Sequence, residues 1–411
     1  MVDTILVGVQ QFTTFTINQS GNIYIFLPDS WVYTASDPAV HVTGAAGGNV
    51  LRIRGTIGSA SGSDPALDVD AEDTRIVIEK SGNITAQIGI GLEDVSADII
   101  NNGFISGDLT GILLDGSVGR LINNGQIAAA SASSYAVSQS TASGDFHLEN
   151  HGVISGYGGL ALEAGELTVT LGRSSRIYGV IGMLVSSQSG DTAEVVNHGL
   201  MSNAAGYAYN SGAGRDTFTN RGTIFGDINF GGGDDRFIDK GRFEGYISGG
   251  TGDDLFVLRK GILVDENIGG GTDSIRIGVT FTLPEEVENL RLTGSRNANA
   301  TGNADANIMI GNAGDNRIAG GTAADTLSGG GGRDTFIYAK FDGGDTITDF
   351  KQGQDRIRIE GFTQFNSFAD LDFIKSGNNV RISFADENGA DFILVENQKI
   401  GDFDKADFLF G

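Results

Sequence analysis

The 411-residue chain contains no cysteine, only four prolines and a single tryptophan. The absence of cysteine excludes disulfides, thiolate metal sites and cysteine nucleophiles together. Glycine is abundant, with 64 residues, but the scarcity of proline excludes a collagen-like chain and a proline-rich linker. Cations are also scarce, since 27 basic residues face 52 acidic ones and the net charge is −25. Such a charge disfavours nucleic acids and anionic membrane surfaces as partners.

Long apolar runs are missing as well. No window approaches about 18 uninterrupted apolar residues, so we expect no transmembrane helix. The first residues, MVDTILVGVQQFTTF, lack a basic region and a long apolar segment, so no Sec-type signal is visible there. The sequence therefore predicts either a cytoplasmic protein or an export signal placed elsewhere in the chain.

The chain is built of internal repeats. SDPAVHV (36–42) recurs as SDPALDV (63–69), and a Gly-x-Ile unit then returns at intervals of 19 to 27 residues. Its glycines are Gly55, Gly82, Gly103, Gly125, Gly152, Gly199, Gly222, Gly241 and Gly261, with Ser175 in the one gap. The apolar residues two positions later are Ile57, Ile84, Ile105, Ile127, Ile154, Ile177, Met201, Ile224, Phe243 and Leu263. Asparagine stands two positions before five of the glycines, at Asn101, Asn123, Asn150, Asn197 and Asn220.

This pattern predicts an all-β, right-handed parallel β-helix. Short segments alternate apolar and polar residues, glycine allows the corners, and the interval is too short for a βαβ unit. Successive coils stack about 4.8 Å apart, so equivalent residues form columns. We expect the isoleucines to fill the core, and the asparagine amides to bond to each other and to the turn backbone. Residues 1–50, rich in aromatics, are predicted to be an N-terminal β cap. A carbohydrate-binding aromatic face is the alternative for this segment.

Glycine and aspartate repeat together in the second half of the chain. SGAGRDTFT, FGGGDDRFI, GGTGDDLFV and IGGGTDSIR begin at 211, 230, 249 and 268, an interval of 19 residues. GNADANIMI, GNAGDNRIA, GGTAADTLS and GGGGRDTFI begin at 302, 311, 320 and 329, an interval of nine. In the first array one motif per coil would line one edge. In the second array two motifs complete a coil, so motif 302 would stack over 320 and motif 311 over 329.

These nonapeptides match G-G-x-G-x-D-x-U-x, and the stretch from Ser211 to Ile337 resembles the RTX (hemolysin-type) calcium-binding repeats of bacterial secreted proteins. Ca²⁺ prefers six to eight hard oxygens, which carbonyls and carboxylates of two stacked turns can supply. The resemblance therefore implies a β-roll that binds several Ca²⁺ ions. The ligand candidates are Gly212, Gly214, Asp216, Gly231, Gly233, Asp234, Asp235, Gly249, Gly250, Thr251, Gly252, Asp253, Asp254, Gly269, Gly271, Asp273, Asn307, Gly311, Asn316, Gly320, Thr322, Asp325, Gly329, Gly331 and Asp334.

Several copies depart from the consensus. Ser211 and Phe230 replace the first glycine, Ala323 replaces the fourth-position glycine, and Asn307 and Asn316 stand in place of aspartate. Turns closed by hydrogen bonds alone are the alternative reading for such copies.

The C-terminal region is similar to that of the serralysin-type RTX family. This similarity rests on YAKFDGGDTITDFKQGQDRIRIEGF (338–362), where Asp345, Asp349 and Asp355 are further candidate calcium ligands. FTLPEEVENLRLTG (281–294) resembles the strand segment that precedes such rolls. The last residues, ADFLFG, resemble the uncleaved C-terminal signal of type I secretion substrates. An ABC-type type I secretion apparatus is therefore an expected partner.

The predicted organisation has five segments. They are the N-terminal β cap at 1–50, the parallel β-helix at 51–210, coils with 19-residue calcium motifs at 211–280, the RTX β-roll at 281–340, and a C-terminal β cap with the secretion signal region at 341–411.

Evidence for catalysis is sparse. The sequence contains no HExxH, G-x-S-x-G or P-loop motif. Parallel β-helices also carry polysaccharide lyases, epimerases and glycoside hydrolases, so such an enzyme is the alternative. Among the few cations of the first half, Arg52, Arg54 and Arg75 form a candidate patch. We favour a secreted, non-enzymatic calcium-binding solenoid with a structural or adhesive role at a bacterial surface or matrix. Surface polysaccharide or self-association would then be its further interactions.

Overall fold

The computed structural model describes residues 3–35, 37–44, 47–60, 64–116, 118–140, 144–163, 165–384 and 391–411. Ser36 and Ser63, the first residues of the two SDPA repeats, lie outside these ranges. The chain forms two compact units. The N-terminal unit comprises Met1–Gly233 with Asp239–Ile247, and the C-terminal unit comprises Asp234–Ile238 with Ser248–Gly411. The five-segment division stays a prediction.

The described structure is almost entirely β. The strands that begin in the N-terminal unit are β1 (Thr4–Val7), β2 (Gln10–Gln11), β3 (Phe15–Ile17), β4 (Ile23–Phe26), β5 (Trp31–Thr34), β6 (Val40–Val42), β7 (Val50–Ile53), β8 (Thr56–Ser59), β9 (Pro65–Val69), β10 (Thr74–Ile78), β11 (Asn83–Glu93), β12 (Ser96–Asn101), β13 (Phe104–Asp115), β14 (Val118–Asn123), β15 (Gln126–Ala129), β16 (Tyr135–Ser140), β17 (Asp145–Asn150), β18 (Val153–Ser155), β19 (Gly158–Leu162), β20 (Glu166–Leu171), β21 (Arg176–Gly179), β22 (Ile181–Val185), β23 (Thr192–Asn197), β24 (Leu200–Asn210), β25 (Arg215–Asn220) and β26 (Thr223–Asn229). Next come β27 (Arg236–Asp239), β28 (Arg242–Glu244) and β29 (Ile247–Ser248).

The remaining elements belong to the C-terminal unit. They are β30 (Leu255–Leu258), β31 (Val264–Asp265), β32 (Ser274–Ile277), β33 (Phe281–Thr282), β34 (Asn289–Leu292), β35 (Ala300–Thr301), β36 (Ile308–Ile310), β37 (Arg317–Ala319), β38 (Thr326–Ser328), β39 (Thr335–Ala339), β40 (Gly344–Ile347), β41 (Arg356–Glu360), a 3-10 helix (Phe368–Asp370), β42 (Asp372–Ser376), β43 (Asn379–Ser383), β44 (Phe392–Val395), a second 3-10 helix (Ile400–Asp402) and β45 (Phe408–Phe410).

The N-terminal unit is a parallel β-solenoid with three strand segments in each coil. β10, for example, pairs with β7 and β12, while the two parts of β11 pair separately with β8 and β9. The predicted Gly-x-Ile column is confirmed, because Ile57, Ile84 and Ile105 are aligned in register and fully buried. The same column continues through Ile127, Ile154, Ile177, Met201, Ile224 and Phe243. The apolar face of every coil therefore packs on that of the next.

The asparagine column also forms as predicted. Asn101 Nδ2 donates to Asn123 Oδ1 at 2.8 Å, and Asn123 Nδ2 donates to Asn150 Oδ1 at 2.7 Å. Asn150 then donates to the hydroxyl of Ser175, which fills the gap in the glycine column. The amide oxygens of Asn101, Asn150, Asn197 and Asn220 also accept the N–H of the residue two positions later in their own turn, as Asn101 Oδ1 does from Gly103. These buried amides tie successive corners together without any ion.

Replacing Asn123 by alanine should destabilise the N-terminal unit by about 1–3 kcal/mol, because Asn101 and Asn150 lose their buried partner. The neighbouring Asn124 is exposed, so Asn124→Ala is a matched control with an expected loss below about 0.5 kcal/mol. Denaturant unfolding can be followed by the fluorescence of Trp31, the only tryptophan. Equal losses in both variants would mean that the ladder contributes nothing.

The segment predicted as an N-terminal cap is itself built as regular coils. Thr4 aligns with Ile23, and Ile23 aligns with Val50, so β1, β4 and β7 share one register. The aromatics of this segment partly cover one another, since the rings of Phe12 and Trp31 lie 4.8 Å apart. Phe12 nevertheless remains 74% exposed.

The C-terminal unit is a two-sided roll. One sheet contains β30, β32, β34, β36, β38 and β40 in parallel, and the other contains β33, β35, β37, β39, β41 and β45. The stacking predicted for the nine-residue array is confirmed, because Ile308 aligns with Thr326 and Arg317 with Thr335. β42, β43 and β44 form an antiparallel end to the first sheet. The terminal strand β45 pairs with β41 and packs Phe408 against Phe403.

One predicted position is wrong. Leu263 is 65% exposed, whereas Ile262 and Val264 on either side are buried. Gly261 stands two residues before Leu263, and a Cβ atom placed on it would have no neighbour closer than 4.0 Å. A Cβ on Gly241, in contrast, would lie directly against the Gly222 carbonyl. The Gly-x-Ile rule therefore ends with Phe243, since Gly261 is not a stacked corner.

Candidate metal-binding turns

The sixth residue of each aspartate motif lies at a turn that leads into a strand. In the 19-residue array, the Asp235 N–H donates to Asp254 Oδ1 at 2.7 Å, and the Asp254 N–H donates to Asp273 Oδ1 at 2.8 Å. The Asp273 N–H continues the series to Glu288 Oε2 at 2.7 Å. All three aspartates are almost fully buried. One oxygen of each acceptor carboxylate is thus used to hold the previous turn.

The second array repeats this arrangement on both edges of the roll. The donor and acceptor pairs are Asn307 N–H to Asp325 Oδ1 (2.8 Å), Asp325 N–H to Asp345 Oδ1 (3.1 Å), Asn316 N–H to Asp334 Oδ1 (2.9 Å) and Asp334 N–H to Asp355 Oδ1 (3.0 Å). The predicted ligands Asp345 and Asp355 therefore extend the two series beyond the last motif.

The second oxygen of these carboxylates is what suits a cation. The Oδ2 atoms of Asp254, Asp325, Asp334 and Asp345 are buried and accept no hydrogen bond. Each of the first three faces the Cα of the first glycine of its own motif, where a side chain on Gly249, Gly320 or Gly329 would collide with it. A buried anionic oxygen without a partner is costly. A hard carboxylate oxygen is the donor that Ca²⁺ prefers, so a cation would supply the partner that each of these oxygens lacks.

Three carboxylates converge at one turn of the C-terminal unit. Oxygen atoms of Asp254, Glu266 and Asp273 all lie within 4.8 Å of one another. Glu266 is held there by the Gly249 and Gly250 N–H groups, which donate to its two oxygens at 3.1 and 3.0 Å. Two of the three acids are buried and Glu266 is partly buried, so the group forms a compact oxygen-rich centre.

Burial raises the pKa of these acids without a bound cation. It brings the pKa of Asp254 to about 7, that of Glu266 to about 8 and that of Asp273 to about 6. In the second array burial likewise raises the pKa of Asp334 to about 7 and that of Asp345 to about 8. Like-charged neighbours raise the values further, as Asp325 does for Asp345. A bound divalent cation would neutralise this repulsion and restore the ionised forms.

The roll matches a known family. Residues 196–410, more than half of the chain, match the family model described as Peptidase M10 serralysin C terminal. The chain belongs to the serralysin C-terminal family. This result confirms the resemblance inferred from the nonapeptides, and the parallel β-solenoid confirms the predicted fold class. A search of curated proteins finds no match. In the part of the chain that the structure describes, no helix is long and apolar enough to cross a membrane.

The serralysin-like C-terminal region supplies a second carboxylate of the Glu266 type. Asp349 accepts the N–H groups of Gly329 and Gly330, both at 2.8 Å, and also the Ser328 hydroxyl. Its charge and that of Asp355 both raise the pKa of Asp334, so the three acids lie close together. Asp349 therefore accepts the first two N–H groups of the motif that begins at Gly329, just as Glu266 accepts those of the motif that begins at Gly249.

Other predicted ligands of this serralysin-family chain have hydrogen-bond partners instead. Asn307 Oδ1 accepts the Asn303 N–H, and its amide donates to the Val287 carbonyl. Asn316 Oδ1 accepts the Asn312 N–H, and its amide donates to the Ala298 carbonyl. For these two turns the geometry favours closure by hydrogen bonds. We expect ions at the aspartate turns in preference.

Asp216 lies in the N-terminal unit, where Tyr209 donates its hydroxyl to Asp216 Oδ2 at 2.8 Å. Gly212 and Gly214 of the same motif stack on Ser187, whose hydroxyl accepts the Gly214 N–H. This copy, which begins with Ser211, is therefore held by hydroxyl groups.

The fifth-position acids form an outer row. Asp234 Oδ1 accepts the Asp253 N–H at 3.1 Å, and Asp253 Oδ1 accepts the Thr272 N–H at 2.8 Å. Both acids are exposed, as are Thr251 and Thr322. The remaining predicted residues line turns, namely Gly231, Gly233, Gly250, Gly252, Gly269, Gly271, Gly311 and Gly331.

Ala323 shows why the fourth position of the motif is normally glycine. Gly252 has φ +119° there, and Ala323 keeps a left-handed φ of +83° despite its side chain. A non-glycine residue in this region costs about 1–2 kcal/mol. The turn that contains Asp325 therefore carries strain that the other copies lack.

Sequence reasoning missed four acids at this site. Glu266, Glu288, Asp342 and Asp391 lie outside every nonapeptide, yet they contact the motif turns or raise the pKa values of their aspartates. The sequence could have predicted Glu288, because it lies 19 residues before Asn307, and 19 residues is the interval of the first aspartate array. Glu266 and Asp391 have no such periodic position.

A second group of metal-type ligands lies in the N-terminal unit. His41 Nε2 is 2.8 Å from Asp70 Oδ2 and 3.7 Å from Asp68 Oδ2. The two SDPA repeats place His41 beside Asp68 on neighbouring strands. All three side chains are partly exposed, and burial raises the pKa of Asp68 to about 6. The hydrogen bond between His41 and Asp70 accounts for the close approach of these two residues.

Proposed function

We propose that this protein is secreted and that its C-terminal unit folds when Ca²⁺ binds to the aspartate turns outside the cell. The observation that carries the proposal is the series of buried carboxylates whose second oxygen accepts no hydrogen bond, at Asp254, Asp325, Asp334 and Asp345. At neutral pH these groups oppose folding unless a cation neutralises them. Membership of the serralysin C-terminal family supports calcium as that cation.

The concentrations of calcium inside and outside the cell would then control folding. Extracellular calcium modules bind with dissociation constants of about 10⁻⁴–10⁻³ M. A ligand that binds only the folded state stabilises it by about 1.4 kcal/mol per site at ten times its dissociation constant. Several such sites together are comparable with the total stability of a typical domain, which is about 5–15 kcal/mol.

The C-terminal end of the chain supports export before folding. The segment resembling a type I secretion signal is folded as β45, and Phe408 is buried among Phe368, Phe373 and Phe403. An ABC-type secretion apparatus would reach this segment only in the unfolded chain. Low cytosolic calcium would keep it accessible.

Once folded, the solenoid would serve a structural or adhesive role at a bacterial surface or in an extracellular matrix. The N-terminal unit supports this proposal, because its amide ladder and isoleucine column join successive coils in one regular stack.

The alternative, a polysaccharide-modifying enzyme, is less well supported by the outer face of the N-terminal unit. One acid there with close cationic partners is Glu149, which Arg120 contacts at 2.6 Å and His147 at 3.2 Å. The hydrogen bond from Arg120, with that from His147, lowers the pKa of Glu149. A paired carboxylate with a lowered pKa is poorly suited to donate a proton to a leaving group.

The deciding experiment compares far-UV circular dichroism and thermal melting in EDTA with those in millimolar CaCl₂, with MgCl₂ as the control. We expect calcium alone to add β structure and a second melting transition, which belongs to the C-terminal unit. The first transition, reported by Trp31 fluorescence, should change little because the amide ladder needs no ion. An identical spectrum and melting curve in EDTA and in calcium would refute calcium-driven folding.

A further inference from the structure

The N-terminal unit carries a cationic groove in a chain that is otherwise strongly acidic. A cavity of about 430 Å³ lies along one corner of the solenoid, and Arg173, Arg176, His198 and Arg242 line it. None of the described residues that line it is acidic, although the chain contains 52 acidic and only 27 basic residues. The sparse cations are therefore concentrated here.

The solenoid register builds this groove from four successive coils. Arg176, Leu200, Thr223 and Arg242 occupy equivalent positions on neighbouring strands, which lie about 4.8 Å apart. His198 and the exposed Arg221 stand at the preceding corner positions of their coils, directly before the stacked glycines. The cations thus form a row along the solenoid axis.

Contacts with neighbouring rings orient two of the arginines. Arg176 donates to the Tyr178 hydroxyl at 3.1 Å, and the guanidinium of Arg242 lies 5.1 Å from the centre of the Phe225 ring. Arg242 is also paired with the exposed Glu244 at 2.6 Å. Arg173, by contrast, has no carboxylate within ion-pair distance among the described residues. Its guanidinium is therefore available to an external anion, with the imidazole of His198 beside it in the same groove.

The cationic patch predicted from the sequence at Arg52, Arg54 and Arg75 differs from this groove, because an acidic residue lies beside two of its arginines. Arg52 lies 2.8 Å from Glu79, and Arg54 lies 4.0 Å from the same carboxylate. Their charges are partly neutralised within the protein. The groove beside Arg173 is the stronger candidate for recognition of an anion.

We propose that this groove binds an acidic, carboxylate-bearing polysaccharide that lies along the solenoid axis. Guanidinium groups form strong, directional hydrogen bonds with carboxylates, and hydroxyl groups of Ser174 and Thr223 match sugar hydroxyls. The Phe225 ring and Leu200 supply apolar surface for a sugar ring. The overall charge of −25 disfavours any polyanion, so the attraction would come from the local arginines of the groove, and binding of a nucleic acid instead is an outcome of the test. The inference rests on the adhesive part of the proposed function and names its ligand class.

The test is titration calorimetry of the full chain with oligogalacturonate at fixed free calcium. Dextran is the neutral saccharide control, and a single-stranded DNA oligonucleotide is the control for a phosphate polymer. Arg173→Ala/Arg176→Ala should weaken oligogalacturonate binding about tenfold or more, because two guanidinium contacts are lost. Arg75→Ala/Lys80→Ala removes the same charge from exposed positions outside the groove, and we expect less than about a twofold change.

Arg173→Lys/Arg176→Lys should keep part of the affinity, since it retains the charge but not the planar donor pair. Absence of oligogalacturonate binding, equal losses in the groove and control variants, or tighter binding of DNA would each overturn the proposal. The calcium-dependent melting of the same samples is measured in parallel. If oligogalacturonate does not bind but the calcium-dependent melting transition is present, only this inference is refuted. If the calcium-dependent melting transition is absent, the proposed function is refuted.

Discussion

Acidification from about pH 8 to about pH 5 should stabilise the C-terminal unit in EDTA and destabilise it in calcium. Burial raises the pKa of Glu266 and Asp345 to about 8, and that of Asp254 and Asp334 to about 7. In an unfolded chain these acids titrate near their ordinary values of about 4. Between those limits the folded, metal-free protein binds more protons than the unfolded protein. Its stability therefore rises as the pH falls from about 8 towards 4.

Calcium reverses this dependence because it binds the ionised carboxylates and competes with protons. With saturating calcium the unit should be most stable at about pH 8 and should weaken as the pH falls through the raised pKa values. The measurement is the β content by far-UV circular dichroism at four pH values, in EDTA and in about 10 mM CaCl₂, together with the melting temperature wherever the unit shows a transition. Proton release on calcium addition at pH 7 provides an independent readout. Stabilities that change in the same direction in both buffers would contradict the assignment of these acids as calcium ligands.

Asp254→Asn/Glu266→Gln should have opposite effects in the two conditions. Without calcium it removes two raised-pKa acids from one cluster, so the C-terminal unit should gain β structure relative to the native protein. With calcium it should raise the concentration needed for folding about tenfold and reduce the number of bound ions. The amide oxygens retain acceptors for the Asp235 N–H and for one of the two N–H groups that Glu266 holds, whereas the other, from Gly249 or Gly250, loses its acceptor.

The matched control is Asp265→Asn/Glu285→Gln, which makes the same change in charge at two exposed positions of the same unit. Its calcium midpoint and ion count should equal those of the native protein. Calcium stoichiometry by calorimetry and the folding midpoint by circular dichroism measure both effects. If the two double variants behave alike, the Asp254–Glu266–Asp273 cluster is not a calcium site.

Columns marked by a recurring motif could be predicted from the sequence. The isoleucine column, the asparagine ladder and the stacking of motif 302 over 320 follow from residues that recur at the same point of each coil. In a parallel stack such residues must lie one above another, because every strand pairs in register with the next. The departure at Leu263 marks the limit of this rule, since a glycine two residues earlier does not by itself create a stacked corner.

By itself, then, the sequence determined the solenoid, its repeat length and the aspartates that line its turns. Tertiary structure alone decided which other groups reach those turns, as Glu266 does at Gly249. It also gathered Arg173, His198 and Arg242 into one groove. The physical reason is that coil lengths vary. The place of a residue outside the repeat within its coil therefore cannot be deduced from its sequence number. Its position at a corner depends on how many residues the intervening turns contain, and only the folded coils fix that number.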